Sequence, residues 1–594
     1  MACTIRYCKV ATLIVLLLLA GCTPTPTPVA TPTSLPTPTL TATPTPTIGI
    51  KALPPVIFVM NDWINGDWGN PNWQRQNFVG IPQVGALGGW TSFSWRDLNP
   101  EKGVYDWTKT DDYILFAQSM TVTLPDGTVI PKPVGLMINT WDLIEKEDSY
   151  GQNYTPTWVG EEMGRPISDC LDPDGPGPCK PFCTPPFADP TWQYWFDQFV
   201  LEMGRHYDKN PQFSNLAFVL IATGVDGETA QRKNLGACKY HQSGNEPAFE
   251  EWVLHLMETY NTAFPHTPHF IQPTLHLIPQ VAEKAVSLPN PTTGVKVNGM
   301  MVDHPNAESY LDGVLVGGVT GFADLYHGHI LVGFEPAGAI GTAQDSAYWF
   351  YMEALSHHPD ILDIQLVNIF QGYDAEQVTG FPLLDFVRTH LGVSPQDTPS
   401  VWTVLRETTL GDVVWMGSDG KVHRVGPHRG DLAFWLYRRG DIPGNQAVAL
   451  TGEEGRAQIP APARNHPYAW HSARRTDQGS GNPYMSFDVD DATALAFAEP
   501  AASGGAAIYT VTVTFVNQGT DTLALEYKNR AGLDVVRTVV KGSDLGPADS
   551  WVDYTWTLAD AYFGNGMPGG ADFRLNCNGD GDEIVHRVIV RRVE

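Results

Sequence analysis

Basic residues are scarce in this chain. Its 594 residues hold 37 lysines and arginines against 65 aspartates and glutamates, a formal charge of −28. A nucleic-acid partner needs clustered cations against phosphate, so that class is excluded. A strongly anionic polymer is disfavoured as a ligand for the same reason. There is no Walker A loop, no G-x-G-x-x-G following a strand and no H-E-x-x-H helix, which leaves nucleotide and zinc-protease chemistry without support. Nor is there a C-x-x-C pair: Cys170, Cys179 and Cys183 share one Pro- and Gly-rich segment, and Cys238 follows. Without that pair or suitable histidine spacing they argue against zinc. In an exported chain they read as two disulfides, in one of three pairings. Aromatics, by contrast, are plentiful at 11 %, with 18 tryptophans. An indole face stacks well on the C–H face of a sugar ring, although a single tryptophan is more often a core residue.

The N-terminus carries Arg6 and Lys9, an apolar run from Ala11 to Leu19, and then Leu19-Ala20-Gly21-Cys22. That run is about half the roughly 20 residues a membrane helix needs. Residues 1–22 resemble a bacterial lipoprotein signal, which implies lipidation of Cys22 and a cell-surface or outer-membrane-anchored product of a bacterium. An ordinary secretory signal is the alternative. Two or three acyl chains suffice for stable anchoring, so the membrane is met only through this lipid. Residues 23–52 are mostly Thr and Pro. They have too little apolar surface to fold and read as a semi-rigid tether.

From residue 53 short apolar runs alternate with amphipathic helical stretches, which implies a parallel sheet. The runs are Val56–Met60, Gly88–Trp95, Pro133–Thr140, Leu216–Thr223, His269–Leu277, Gly299–Val302, Ile330–Phe334 and Ile361–Phe370. Eight such units match an α/β fold, a (β/α)8 TIM barrel over 53–400, with an open doubly wound sheet as the alternative. Residues 401–465 read as a β-rich annex. From 466 to 594 the helices disappear and alternating strands predict an all-β C-terminal sandwich domain.

Barrel active sites lie at the C-terminal ends of the strands, so the residues on which the runs end are the candidates. The fourth run leads to Asp226-Gly227-Glu228 and the seventh ends Phe334-Glu335-Pro336. Strands four and seven lie across the barrel mouth from each other. Two facing glutamates suit glycosidic cleavage, in which one carboxyl protonates the leaving oxygen and the other attacks or stabilises the anomeric carbon. A nucleophile must stay ionised, and Arg96 after strand two is the expected counter-charge. Further sugar-binding candidates at strand ends are Asn61, Asp62, Trp95, Asn139, Trp141, Asp142, Asp226, His276, Asp303, His304, Asn368 and Gln371. In the C-terminal region, Asn576-Cys577-Asn578-Gly579-Asp580-Gly581-Asp582-Glu583 gathers oxygens around glycines. It is a candidate structural Ca2+ loop without EF-hand spacing; a tight acidic turn is the alternative, and no other cofactor is expected.

The segment Trp95-Arg96-Asp97-Leu98-Asn99-Pro100-Glu101-Lys102-Gly103-Val104-Tyr105-Asp106-Trp107 resembles the stretch after strand two in clan A glycoside hydrolases, particularly the family 42 β-galactosidase-like barrels. The resemblance implies a glycoside hydrolase acting on an oligo- or polysaccharide with retention, with Glu228 as acid/base and Glu335 as nucleophile. One position departs from the clan: Gly227 stands where an asparagine usually precedes the acid/base. An inverting glycosidase on the same barrel, or a non-catalytic carbohydrate-binding surface lipoprotein, are the alternatives.

Overall fold

The computed structural model describes residues 52–593 except 61–86, 143–151, 168–184, 222–245, 273–277, 301–309, 312–313, 316–327, 337–343, 407–412, 417–421, 426–430, 451, 470–472 and 497–506. The signal, Cys22, Asn61, Asp62, Cys170, Cys179, Cys183 and Cys238 lie outside the described residues.

Eight parallel strands close into a barrel. They are β1 (Phe58–Met60), β2 (Gly88–Ser94), β3 (Val134–Asn139), β4 (Leu216–Ile221), β5 (His269–Ile271), β6 (Thr293–Met300), β7 (Leu331–Pro336) and β8 (Ile361–Ile364). Each pairs with the next in chain order, and β8 returns to β1. Side chains alternate across each strand. Phe58, Trp90, Met137, Phe218, Leu220, Phe270 and Ile361 fill the interior as one buried cluster. Val59, Phe93, Leu136, Ile138, Val219, Ile271, Val295, Val332 and Leu362 point outward into the main core. The interior closes because large rings sit opposite glycines. A Cβ on Gly135 would lie 2.4 Å from the Phe218 ring, and one on Gly294 would lie 2.6 Å from Phe270. Small-against-large alternation fills a barrel too narrow for two aromatic residues at one level.

The outer ring contains α1 (Thr108–Gln118), α2 (Pro190–Tyr207), α3 (Glu246–Ala263), α4 (Ile278–Ser287), α5 (Gln344–Ser356), α6 (Leu366–Thr379) and α7 (Leu383–His390). Helix α2 shows why such segments are helical. Asp189 accepts from Thr191 N–H at 2.9 Å, Pro190 starts the first turn, and Trp192, Phe196, Phe199, Val200 and Met203 make one buried stripe.

Two departures from the expected strand bounds have a visible cause. The sixth begins at Thr293 rather than Gly299, because Lys296 and Asn298 break the apolar run that marks a strand. The eighth stops at Ile364, and the apolar residues from Leu366 onward belong to α6. A short apolar run alone does not separate strand from helix.

The C-terminal region is β-rich and antiparallel. One sheet contains β9 (Ser400–Val404), β10 (Leu432–Phe434), β12 (Val448–Ala449), β13 (Arg474–Arg475), β15 (Tyr509–Val516), β18 (Trp551–Leu558) and β20 (Ile584–Arg592). The other runs in the order β11 (Leu436–Arg438), β14 (Tyr484–Val489), β19 (Phe573–Asn576), β16 (Thr522–Lys528) and β17 (Asp534–Val540). The stretch expected as an annex therefore shares sheets with the stretch expected as a separate domain: β9 pairs along its whole length with β20.

This region packs against α5, the helix that follows β7. Tyr348 Oη meets His586 Nε2 at 2.8 Å, and Trp349 Nε1 donates to Pro467 O at 2.9 Å. Arg587 lies 3.9 Å from the centre of the Phe381 ring and donates to Tyr348 Oη at 3.0 Å. The fully buried Glu353 and Arg406 pair at 3.6 Å. Breaking such a pair by removing one partner typically costs about 3–5 kcal/mol. A chain ending at Arg464 loses β20, His586 and Arg587 together. It is expected to be insoluble or to melt at least about 10 °C below the full chain. A truncated chain with an unchanged melting temperature would contradict this packing.

Candidate functional site

On the C-terminal half of the barrel the interior turns from apolar to polar. The inward parity that places Gly294, Gly333 and Ile361 inside also places Lys296 on β6, Glu335 on β7 and Asp363 on β8 there. Lys296 is fully buried and its Nζ bonds both Glu335 Oε2 and Asp363 Oδ2. From β2, Trp90 Nε1 donates to Asp363 Oδ1 at 2.5 Å, and its ring centre lies 5.6 Å from Lys296 Nζ. Glu335 remains 8 % exposed, whereas Asp363 and Lys296 are at 0 %. Of the two carboxylates on Lys296, Glu335 is thus the one with exposed surface.

Glycine makes the arrangement fit. Lys296 is the register partner of Gly333, and a Cβ there would lie 3.1 Å from Lys296 Cγ and 2.9 Å from Ile361 Cγ1. With only hydrogen at that position, the lysine stem crosses β7 to reach Asp363 on β8. Burial is the largest influence on Lys296 and works against its charge. Asp363 and then Glu335 outweigh it and hold the ammonium above the ordinary lysine range. The side chain is therefore a fixed cation. A buried, charged amine offers no lone pair to a substrate carbonyl, which argues against a Schiff-base role.

The candidates named from the sequence fall in different places. Glu335 sits in this cluster. Asn139 ends β3 on the inward parity of Met137, is 5 % exposed, and its Oδ1 has no hydrogen-bond partner among the described residues. Trp141 is 2 % exposed just beyond, and its Nε1 likewise lacks a partner among the described residues. Asp142 pairs through its backbone with Gln152. Arg96 is turned to the loop after β3, donating to the carbonyls of Asn153 and Thr155, the latter at 3.3 Å. Among the described residues, the cation paired with Glu335 is Lys296. Trp95 is fully buried in the outer core, edge-on to Trp192 at 5.4 Å and Phe196 at 5.0 Å. Asn368 belongs to the first turn of α6, where Oδ1 accepts from Gln365 N–H at 3.0 Å and Nδ2 donates to Gln371 Oε1 at 3.3 Å. Glu228, Asp226, His276, Asp303 and His304 lie outside the described residues.

The segment after β2 has a packing role. Ser94 caps a one-turn helix, Trp95–Leu98, and Asn99 Nδ2 closes the following loop on Val104 O at 2.7 Å. Trp107 packs on Phe199 at 5.5 Å and stacks on His206 at 5.4 Å. Gly103 takes φ +75°, a left-handed turn position that favours glycine.

In the C-terminal loop one oxygen each of Asp580, Asp582 and Glu583 already has a donor. Asp580 Oδ2 accepts from Thr522 N–H at 3.1 Å and its hydroxyl at 2.7 Å. Asp582 Oδ1 accepts from Gln478 N–H at 2.9 Å. The buried Lys541 ammonium lies 3.0 Å from Glu583 and 2.7 Å from Asp521. A buried positive charge is thus set against this turn, where a calcium site would need its carboxylates for the ion.

No family model matches the chain, and no curated protein matches it. Solved structures similar to it include a thermostable mutant of a xylanase from Cellvibrio japonicus, at 11 % identity over 53 % of this chain and 86 % of that one, TM-score 0.28. An intracellular xylanase from Thermoanaerobacterium saccharolyticum matches at 9 % identity over 53 % and 88 %, TM-score 0.30. A psychrophilic glycoside hydrolase family 10 endo-β-1,4-xylanase matches at 13 % over 52 % and 85 %, TM-score 0.27. Likenesses this distant add nothing to what the strand order already establishes.

The cluster has a testable electrostatic consequence. Lys296→Met removes the cation and leaves two neighbouring carboxylates. On any substrate turned over by an ionised Glu335, the acid side of the rate–pH profile is expected to move up by about one unit or more, because an opposite charge nearby favours the ionised form. An unmoved acid limb in the folded variant would contradict the pairing.

Proposed function

We propose that this chain is a glycoside hydrolase that cleaves β-linked glycans with retention, with Glu335 as nucleophile and Glu228 as acid/base. One observation carries the reading. Glu335 stands at the C-terminal end of β7, inward by strand parity and partly open, paired with the buried Lys296. An ionised carboxylate kept at a barrel mouth by a buried cation suits attack on an anomeric carbon. A protein that only binds sugars has no use for that device, so catalysis is favoured over capture.

In this mechanism the acid/base gives its proton to the glycosidic oxygen while Glu335 forms the covalent ester. Water, deprotonated by the same acid/base, then releases the sugar. Asn139 Oδ1, which has no partner among the described residues, is an acceptor suited to a sugar hydroxyl. Asp142, Asp226, His276, Asp303 and His304 stay in the proposal as strand-end groups that would bind further hydroxyls. Export and anchoring through Cys22, with the Thr/Pro stretch as a tether, complete it.

Aryl glycosides, β-glucans, galactans and xylans serve as the substrate panel. Glu335→Gly is expected to lose nearly all turnover, with added azide restoring it and giving a glycosyl azide of inverted configuration. Retention of more than about a tenth of the wild-type rate would contradict a covalent role. Glu228→Gln should lose far more rate on substrates with poor leaving groups than on activated aryl glycosides in the first chemical step, since only the former need protonation. Equal losses on both classes would remove Glu228 from the acid/base role.

A further inference from the structure

Among the described residues the cluster at Glu335 holds one cation, Lys296, and two carboxylates, of which Asp363 is wholly buried and Glu335 is partly exposed. That surplus has a use if Glu335 is the nucleophile, the reading on which this inference rests. As a Glu335 oxygen attacks, its bond to the anomeric carbon forms and the bond from that carbon to the leaving oxygen breaks. The electron pair of the broken bond goes to the leaving oxygen, which takes the proton of the acid/base. Negative charge thus passes from Glu335, now a neutral ester, to the acid/base. Lys296 stays fully buried and charged, and it has lost one of its two counter-ions.

We propose that Asp363 is the positioning residue that keeps Lys296 neutralised through the glycosyl-enzyme intermediate, so that Glu335 can give up its charge without stranding a buried ammonium. The geometry fits this role and no closer one. Asp363 is wholly buried, with Oδ2 on Lys296 and Oδ1 on Trp90 Nε1 at 2.5 Å. Neither oxygen is offered to a substrate, so it is neither acid/base nor nucleophile. Trp90 fixes the carboxylate from β2, and Gly333 leaves the passage through which the lysine reaches it. A one-to-one Lys296–Glu335 pair would have to be broken at every attack, leaving an unpaired charge in a low dielectric. With Asp363 present the lysine keeps a partner before and after, and the second anion also disfavours charge on Glu335 while it waits.

The test uses the full chain and 2,4-dinitrophenyl 2-deoxy-2-fluoro-β-glycosides of glucose, galactose and xylose, followed by intact mass and peptide mapping. With the fastest of the three, wild type is expected to be labelled on Glu335. Asp363→Asn should be labelled more slowly by about a hundredfold, the scale of stripping one partner from a buried charge. Lys296→Met/Asp363→Asn, which removes both charges, should recover at least about tenfold of that loss, because deleting a whole pair costs less than deleting half of it. A purely structural Asp363 would not give such recovery. Labelling of folded Asp363→Asn within about threefold of wild type, or a double variant no faster than the single, would overturn the proposal. If Asp363→Asn does not fold, Trp90→Phe removes the indole donor, with part of its ring, and leaves Asp363 in place. It should slow labelling about fivefold, in line with one lost charge-assisted hydrogen bond, and an unchanged rate would overturn the role. Wild type that none of the three reagents labels on Glu335 would remove the nucleophile assignment itself, whereas the variants test Asp363 alone.

Discussion

A single buried ammonium organises the barrel mouth. Lys296 draws together carboxylates from two neighbouring strands, β7 and β8, and Trp90 on β2 completes the set. An isolated charge this deep would cost several kcal/mol in solvation, so the lysine is tolerable only because its partners are present. The same dependence runs the other way. Two carboxylates facing one space without the lysine would repel each other, and one would take up a proton. The polar half of the barrel interior is therefore one electrostatic unit whose open face is Glu335.

The rest of the fold serves to hold that unit in register. Below it the interior is closed by rings against glycines, Phe218 over Gly135 and Phe270 over Gly294, which sets the strand spacing. Beside it α5 follows β7 and is gripped by the C-terminal sheets through His586, Arg587 and Pro467. The β-rich region thus bears on the strand carrying Glu335 through the helix after it. The aromatic segment after β2 contributes from the other side, binding that loop to α2 through Trp95 and Trp107.

Much of this was legible in the sequence. The succession of apolar runs and amphipathic helices points to the barrel, and Gly333-Phe334-Glu335-Pro336 marks the strand end that carries the exposed carboxylate of the cluster. An arginine after strand two lies near a mouth in sequence terms, but Arg96 donates to the carbonyls of Asn153 and Thr155, and among the described residues the cation paired with Glu335 is Lys296. Lys296 and Asp363 are hard to read from the sequence because each interrupts an apolar run and so blurs the strand that carries it. The signal was nonetheless there. Val295-Lys296-Val297 and Leu362-Asp363-Ile364 each place a charge between apolar neighbours, and in a parallel barrel strand that alternation puts the charge inside. Trp95 and Asn368 illustrate the opposite error of reading strand-end residues as binding groups: one is core and the other caps a helix.

The most direct test of Glu335 as a lysine-held nucleophile is the configuration of the first product. Proton NMR of wild-type hydrolysis of a β-glycoside, read before mutarotation, distinguishes one displacement from two. The account requires the β-anomer to appear first, as attack by Glu335 followed by water demands. First appearance of the α-anomer would mean that water attacks directly, and would contradict the role assigned to the Lys296 cluster.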